Sequence, residues 1–206
     1  MITKQRIISQ AIESYNAFGV TNVTSRDIAK LLNISHGNLD YHFPNKEALL
    51  LAIYKKMKKD ASKIYDEEHI LQDPFTNFNK LLLGLETFQK KYQFFNLDIL
   101  EISRKYEKVS ILLNKTFQIR RSQMGVFYKA FMDLGYLKEE TTPGMYVHLQ
   151  HTVRILITFW CSQKEILSYN EDIQKTSMST YIWELLLPHM TKKGLNAYQE
   201  LPLINV

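Results

Sequence analysis

The sequence predicts an all-α protein: an N-terminal helix-turn-helix domain of three helices, followed by a larger C-terminal helical bundle. Three observations carry this. Apolar residues recur at the 3.6-residue period along most of the chain, and no stretch of useful length alternates as a strand would. Only seven glycines and five prolines interrupt 206 residues. Residues 25–49, SRDIAKLLNISHGNLDYHFPNKEAL, read as a short helix, a tight turn, a second short helix and the capped start of a third. That length leaves room for one or two domains with cores of their own.

The elements follow in order. A first helix is expected from Thr3 to Phe18, with Ile7, Ile8, Ala11, Ile12, Tyr15 and Phe18 on one side and Gly19 as its stop. The second begins after Thr24 or Ser25, either of which can cap it. The third covers His36 to His42. Asn45 caps a fourth, whose inward face is Leu49, Leu50, Ile53 and Met57. The charged stretch Asp66–Asp73 reads as a linker, after which Asp73 caps a helix that opens on Pro74. Further helices are expected over 96–105, 108–134, from Thr142-Pro143 to Ile166, and 172–187. Gly135, with Tyr136 and Leu137 behind it, has the pattern of a glycine C-cap. The tail from Thr191 has no assignable period. Residues 1–60 and 70–190 are therefore expected to be separate domains.

Charge is distributed unevenly. The net charge is +5, and residues 1–60 hold nine Lys/Arg against five Asp/Glu. The excess thus lies with the helix-turn-helix, as binding to phosphates requires. Lys55, Lys56, Lys58 and Lys59 form a helix face that either touches DNA or is merely solvated. Cys161 is the sole cysteine, expected as a small buried hydrophobe rather than half of a disulfide. The N-terminus lacks the apolar run of a signal peptide, and the longest apolar run, Ile155 to Cys161, is far short of a membrane span. A cytoplasmic protein with no membrane partner is expected.

A helix-turn-helix makes specific demands. The first helix must present a small residue where the second crosses it, and Ala29 lies between Ile28 and Leu32. The turn needs a residue that tolerates a left-handed backbone, which Asn33 does. Ile34 plugs the core, Ser35 caps the next helix, Leu39 anchors it and Phe43 closes it. His36, Gly37, Asn38, Asp40, Tyr41 and His42 are left outward at the end that would enter a major groove. The opposing possibility is an ordinary α-hairpin, which has no need of these residues at these offsets.

These residues resemble the DNA-binding domain of TetR-type transcriptional regulators. The likeness rests on Thr24, Asp27-Ile28-Ala29, Asn33-Ile34-Ser35, Gly37, Leu39, Tyr41-His42-Phe43 and Lys46-Glu47-x-Leu49, and its motifs span about Ile7 to Met57. The resemblance implies that Thr24 and Ser25 meet the DNA backbone and that Arg26 reaches a base or phosphate. It places Ser35, His36, Gly37 and Asn38 at the end of the recognition helix that enters the groove. His36 and Asn38 would read base edges, and Asn suits adenine. Tyr41, His42 and Lys46 would hold phosphates, which fix register while bases specify sequence. Tyr41 packing against the first helix is the other reading. Two positions depart from the pattern. Asn33 stands for the usual turn glycine and Asp40 for the usual tyrosine. A carboxylate at 40 would repel phosphate unless it accepts from cytosine or pairs with a nearby Lys or Arg.

The second domain is rich in aromatics, which at helical spacing are more often core than binding site. The resemblance implies an apolar ligand cavity there, with Phe88, Phe95, Phe127, Tyr128, Arg154 and Trp160 as candidate lining. It also implies dimerisation helices at 143–166 and 172–187, with Val153, Leu156, Phe159 and Trp160 on one face and Tyr181, Ile182, Leu185 and Leu186 on the other; burial of these faces within the monomer alone is the other reading. Arg154 would meet a ligand carboxylate or, preferably, form an interface ion pair. His148 and His151 lie three apart but lack a third ligand nearby, so no metal site is expected. No catalytic motif is present and no cofactor is expected. The expected protein is not an enzyme. It is a homodimeric repressor that binds a pseudo-palindromic double-stranded operator and responds to a small, apolar ligand. A helical enzyme or lipid carrier with a vestigial helix-turn-helix and a non-specific DNA-packaging protein remain as alternatives.

Overall fold

The computed structural model describes residues 4–65 and 72–201. Among these residues it has helices and connecting turns and no strand beyond an isolated bridge between Leu137 and Met190. The helices are α1 (Lys4–Phe18), α2 (Ser25–Leu31), α3 (His36–His42), α4 (Lys46–Ala61), α5 (Pro74–Lys91), α6 (Gln93–Leu97) and α7 (Ile99–Lys105). They continue with α8 (Glu107–Asp133), α9 (Met145–Ile166), α10 (Glu171–Lys175), α11 (Met178–Leu186) and α12 (Lys192–Gln199). The all-α expectation holds. Most of the expected linker, residues 66–71, lies outside the described residues, as does Thr3.

The chain divides into two compact units, Met1–Ala61 with Lys90–Thr116, and Ser62–Gln89 with Phe117–Val206. The sequence places the boundary near residue 60; the packing adds residues 90–116 to the first unit. Polar pins at long sequence separation hold them there. Asn16 donates to the Lys91 carbonyl at 3.0 Å and accepts from the Phe94 N–H at 3.0 Å. Asp98 accepts from the Val20 N–H at 2.7 Å, and Glu47 accepts from the Lys108 N–H at 3.1 Å. The Tyr54 hydroxyl donates to Thr116 Oγ1 at 2.6 Å. None of these polar pairs leaves a periodic signature in sequence.

The core of the first unit follows the sequence expectation except at Phe18, expected on the inward side of α1 but 65% exposed at its last turn, and at Ile8, which is half-buried. Ile7, Ala11 and Tyr15 of α1, Ile28 and Ala29 of α2, Leu39 of α3 and Leu49, Leu50 and Ile53 of α4 are buried. Asp60, at the end of α4, is a polar hub: its Oδ2 accepts from Lys91 at 2.6 Å, from the Tyr92 hydroxyl at 2.7 Å and from Lys56 at 3.3 Å. These donors, Lys91 first, hold its carboxyl well below the usual carboxylate range.

The second unit is built around Trp183, which is fully buried. Phe75 stacks on it at 5.1 Å, Phe78 meets it edge-on at 5.1 Å, and Tyr198 closes from α12 at 5.6 Å. Its indole N–H donates to buried Asn79 at 3.1 Å. Four boundaries differ from expectation. The helix expected over 96–105 is broken at Asp98, which joins α6 to α7. The helix expected to open at Thr142-Pro143 begins at Met145. Gly144 takes a left-handed φ of 81°, and Glu140, not Thr142, accepts the free N–H groups of Gly144 and Tyr146. The helix expected over 172–187 is two helices, because the Ser177 hydroxyl caps α11 through the Thr180 N–H. The unassigned tail forms α12, capped by Thr191. Gly194 lets α12 dock, since a Cβ there would stand 2.2 Å from the Tyr136 carbonyl oxygen.

Candidate nucleic-acid interface

The α2–turn–α3 segment is fixed by its own caps. Thr24 and Asp27 form a capping box: the Thr24 N–H and hydroxyl donate to Asp27 Oδ2 at 2.8 and 2.6 Å, and the Asp27 N–H donates back to Thr24 Oγ1 at 3.3 Å. The Thr24 hydroxyl proton is thereby committed within the cap. The donors free for an anion at this helix start are the first backbone N–H groups, at Ser25 and Arg26. Ser25 is half-buried, whereas Arg26 is exposed and makes no hydrogen bond or ion pair among the described residues. Asn33 takes φ 53°, the left-handed turn its residue type tolerates, and the Ile34 N–H closes onto the Ala29 carbonyl at 3.0 Å. Ser35 Oγ then accepts from the Asn38 N–H at 3.2 Å and starts α3.

With Leu39 buried, α3 presents His36, Gly37, Asn38 and Tyr41 outward. Tyr41 is 86% exposed, which excludes packing against α1; among the described residues its ring meets that of His42, edge-on at 5.3 Å. The Asn38 side chain is exposed and has no partner among the described residues. Gly37 has an ordinary helical backbone, and a Cβ built on it would meet nothing within 4 Å. Nothing inside the chain therefore requires glycine at this position. Asp40 pairs with His36: Oδ2 lies 3.2 Å from Nδ1. The sequence looked for a Lys or Arg partner; the partner is a candidate base reader one turn away. His42 is half-buried, and its Nδ1 is buried without a hydrogen-bond partner.

Lys46 is the one candidate not brought to this surface. Its ammonium donates to the Val20 carbonyl and lies 5.7 Å from the centre of the Tyr15 ring. Burial, and then Lys105, hold its pKa below the ordinary lysine value. Val20 is thus held at both ends, by Asp98 at its N–H and by Lys46 at its carbonyl. Sequence reasoning missed this clamp, since nothing local marks Asp98 as its partner.

The six candidate pocket residues do not converge. Phe95 is buried in the first unit against Tyr54, at 5.7 Å between ring centres. Phe88, Phe127, Tyr128, Arg154 and Trp160 belong to the second unit. A pocket of about 620 Å³ in that unit has Phe127 in its wall, with Lys63, Tyr65, Asn77, Lys80 and Leu81 among its other lining residues. Phe88 is half-buried, and Trp160 packs in the core beside Tyr181 at 5.4 Å. Tyr128 is buried and its hydroxyl has no hydrogen-bond partner; desolvation, then Tyr146, raise its pKa. Arg154 donates from Nη1 to the Phe117 carbonyl at 2.8 Å, while its Nε is buried without a partner. Burial, then Arg121, lower its pKa, and among the described residues it pairs with no carboxylate.

The expected dimerisation face is also redrawn. Val153 and Trp160 of α9 and Ile182 and Leu186 of α11 are buried in the second unit's own core, and Leu156, Tyr181 and Leu185 pack against it. One face of each helix is consumed by that core. The large apolar residues that α9 leaves exposed are Val147, Ile155, Phe159 and Ile166. His148 and His151 are exposed on the same helix.

The family described as bacterial regulatory proteins, tetR family, matches residues 7–53. The family TetR, bacterial transcriptional repressor, matches residues 50–198. Over 93 residues the chain is 30% identical to the probable acrEF/envCD operon repressor of Escherichia coli K12, covering 43% of this chain and 41% of that protein. The matched stretch is thus less than half of that relative's length. The HTH-type transcriptional regulator QacR of Staphylococcus aureus is 27% identical over 137 residues, 65% of this chain and 71% of QacR. In fold, the chain is similar to a TetR-family transcriptional regulator from Marinobacter aquaeolei VT8, with a TM-score of 0.81 over 97% of each chain at 20% identity.

Proposed function

The chain belongs to the TetR family of bacterial transcriptional regulators, and from that premise we propose that it is a ligand-responsive repressor that binds a pseudo-palindromic operator as a homodimer. The observation that carries this is the outer face of α3. It combines an unpartnered Asn38, an exposed Tyr41 and a glycine that nothing inside the chain requires. A face so built suits close approach to a groove. His36 and Asn38 read bases, Arg26 reaches a base or phosphate, and Tyr41 and His42 hold phosphates. The backbone N–H groups of Ser25 and Arg26 meet the DNA backbone in place of the Thr24 hydroxyl. Lys46 acts by fixing the α1–α2 turn, and a phosphate contact from it requires release from Val20.

Residues 1–60 supply the DNA-binding function, and 70–190 the ligand-binding and dimerising functions. The exposed α9 stripe of Val147, Ile155, Phe159 and Ile166 supports a helix-to-helix contact between copies. Two α3 helices about 34–36 Å apart then read successive turns of one DNA face. The ligand is small and largely apolar, in keeping with the aromatic second unit. The unpaired Tyr128 hydroxyl and Arg154 Nε are polar groups available to orient it. It acts through different affinities for the DNA-competent and DNA-incompetent states, with the segment near residues 60–75 transmitting the change. No catalytic residue or cofactor enters this reading. Among the described residues no helix is long and apolar enough to cross a membrane, and a regulator of DNA works in the cytoplasm.

The test is selection of duplexes from a random library by the full chain, followed by titration of the selected site and a scrambled one at fixed salt. An inverted-repeat site preferred by about a thousandfold or more supports the reading. Equal affinity for all duplexes defeats it in favour of a packaging protein.

A further inference from the structure

Asp40, where this chain departs from the family pattern, faces the first residue of its own helix. His36 Nδ1 lies 3.2 Å from Asp40 Oδ2, with side-chain exposures of 43% and 40%. Helix stability does not account for the pair. A basic residue four positions before an acidic one is the weaker orientation, opposed to the helix dipole. The N-terminus of α3 is already capped by Ser35 and the helix is anchored by buried Leu39. The pair does have a chemical consequence. A carboxylate oxygen this close repels a lone pair on Nδ1 and attracts a hydrogen there. In a neutral ring this favours the tautomer with its proton on Nδ1, in which Nε2, at the far side of the ring, is an acceptor.

Resting on the reading of α3 as the recognition helix, we propose that Asp40 is a positioning residue that determines specificity through His36. It holds the imidazole with hydrogen on Nδ1 and offers Nε2 to the major groove as an acceptor. The group so read is an exocyclic amine, adenine N6 or cytosine N4. The same carboxylate disfavours phosphate at its own position, trading general affinity for discrimination.

The experiment selects random duplexes with the full chain, in wild-type form and as His36→Ala, Asp40→Ala and Asn38→Ala. Nitrogen-15 NMR of the His36 ring accompanies it. Wild type is expected to enrich a site with adenine or cytosine favoured at one position. His36→Ala and Asp40→Ala both flatten that position, by about fivefold, the worth of one hydrogen bond. Asn38→Ala flattens a different one. Asp40→Ala binds scrambled duplex as tightly as wild type or more so. The ring signals show Nδ1 protonated in wild type and a shift toward Nε2 protonation in Asp40→Ala, which a merely structural role for Asp40 would not produce. The proposal is overturned, with the recognition-helix reading intact, if Asp40→Ala keeps the preference that His36→Ala removes. It is likewise overturned if His36→Ala flattens no position, or if the wild-type neutral ring is protonated on Nε2. A wild type that enriches no site overturns both readings together.

Discussion

Replacing Gly37 by Ala should move stability and DNA binding in opposite directions. Gly37 is a helical residue of α3 with no positive φ, and the added Cβ meets nothing within 4 Å. The free protein therefore has no steric or conformational objection to alanine. Alanine is favoured over glycine in a helix by roughly 0.5–1 kcal/mol, partly by restricting the unfolded chain. For a domain of this size 1 kcal/mol corresponds to a melting shift of about 2–4 °C, so a rise of about 1–4 °C is expected. On DNA the same methyl occupies the space through which the backbone would approach the groove. A loss comparable to one mismatched base pair, about 1–3 kcal/mol or roughly fivefold to 150-fold in Kd, follows. Thermal or urea melting followed by circular dichroism measures the first quantity. Fluorescence anisotropy on the selected duplex at fixed salt measures the second, with scrambled duplex as control. A variant that is less stable would show that Gly37 serves the fold. A variant more stable but equally tight on the selected site would show that α3 does not approach the groove at this residue.

Asp60→Asn should destabilise by about 1–3 kcal/mol at pH 7, because it removes the charge that Lys91, Tyr92 and Lys56 share. The native carboxyl titrates below the unfolded value of 3.8. Its stabilisation is therefore fully present above about pH 5 and lost as pH falls through the native pKa. Urea melts from pH 7 to pH 2 should show the gap between wild type and Asp60→Asn closing only below about pH 4, and a gap that does not depend on pH would refute this. Asn79→Ala strands the buried Trp183 indole N–H. It should cost about 1–3 kcal/mol and alter Trp183 emission, whereas an unchanged melt would show that water replaces the amide. Ser35→Ala removes the α3 cap and should cost about 0.5–2 kcal/mol. Ser35→Asp should recover the stability, and calorimetry of the three proteins distinguishes this from a general loss of folding.

What the sequence determined by itself is local. Periodicity and punctuation locate α1 to α4 to within a residue or so, because each has a cap or stop adjacent to it in the chain: Thr24, Ser35, Asn45 and Gly19. The same holds for the start of α5 at Asp73-Pro74 and the end of α8 at Gly135. The helix-turn-helix and the outward row on α3 follow from offsets of a few residues, so they too are legible. The tertiary structure decided everything that depends on a distant partner. Residues 90–116 pack with the first unit through Asn16, Val20, Glu47 and Tyr54, at separations no periodicity records. Lys46 looks like a phosphate ligand in its motif, yet its ammonium is held at Val20. The aromatics of the second half satisfy one pattern whether they fill a core, line a pocket or face solvent. Packing around Trp183 assigned Phe75 and Phe78 to the core, left Phe159 exposed and kept Phe95 with the first unit. Burial is a property of neighbours in space, and a sequence specifies neighbours directly only within a helical turn or two.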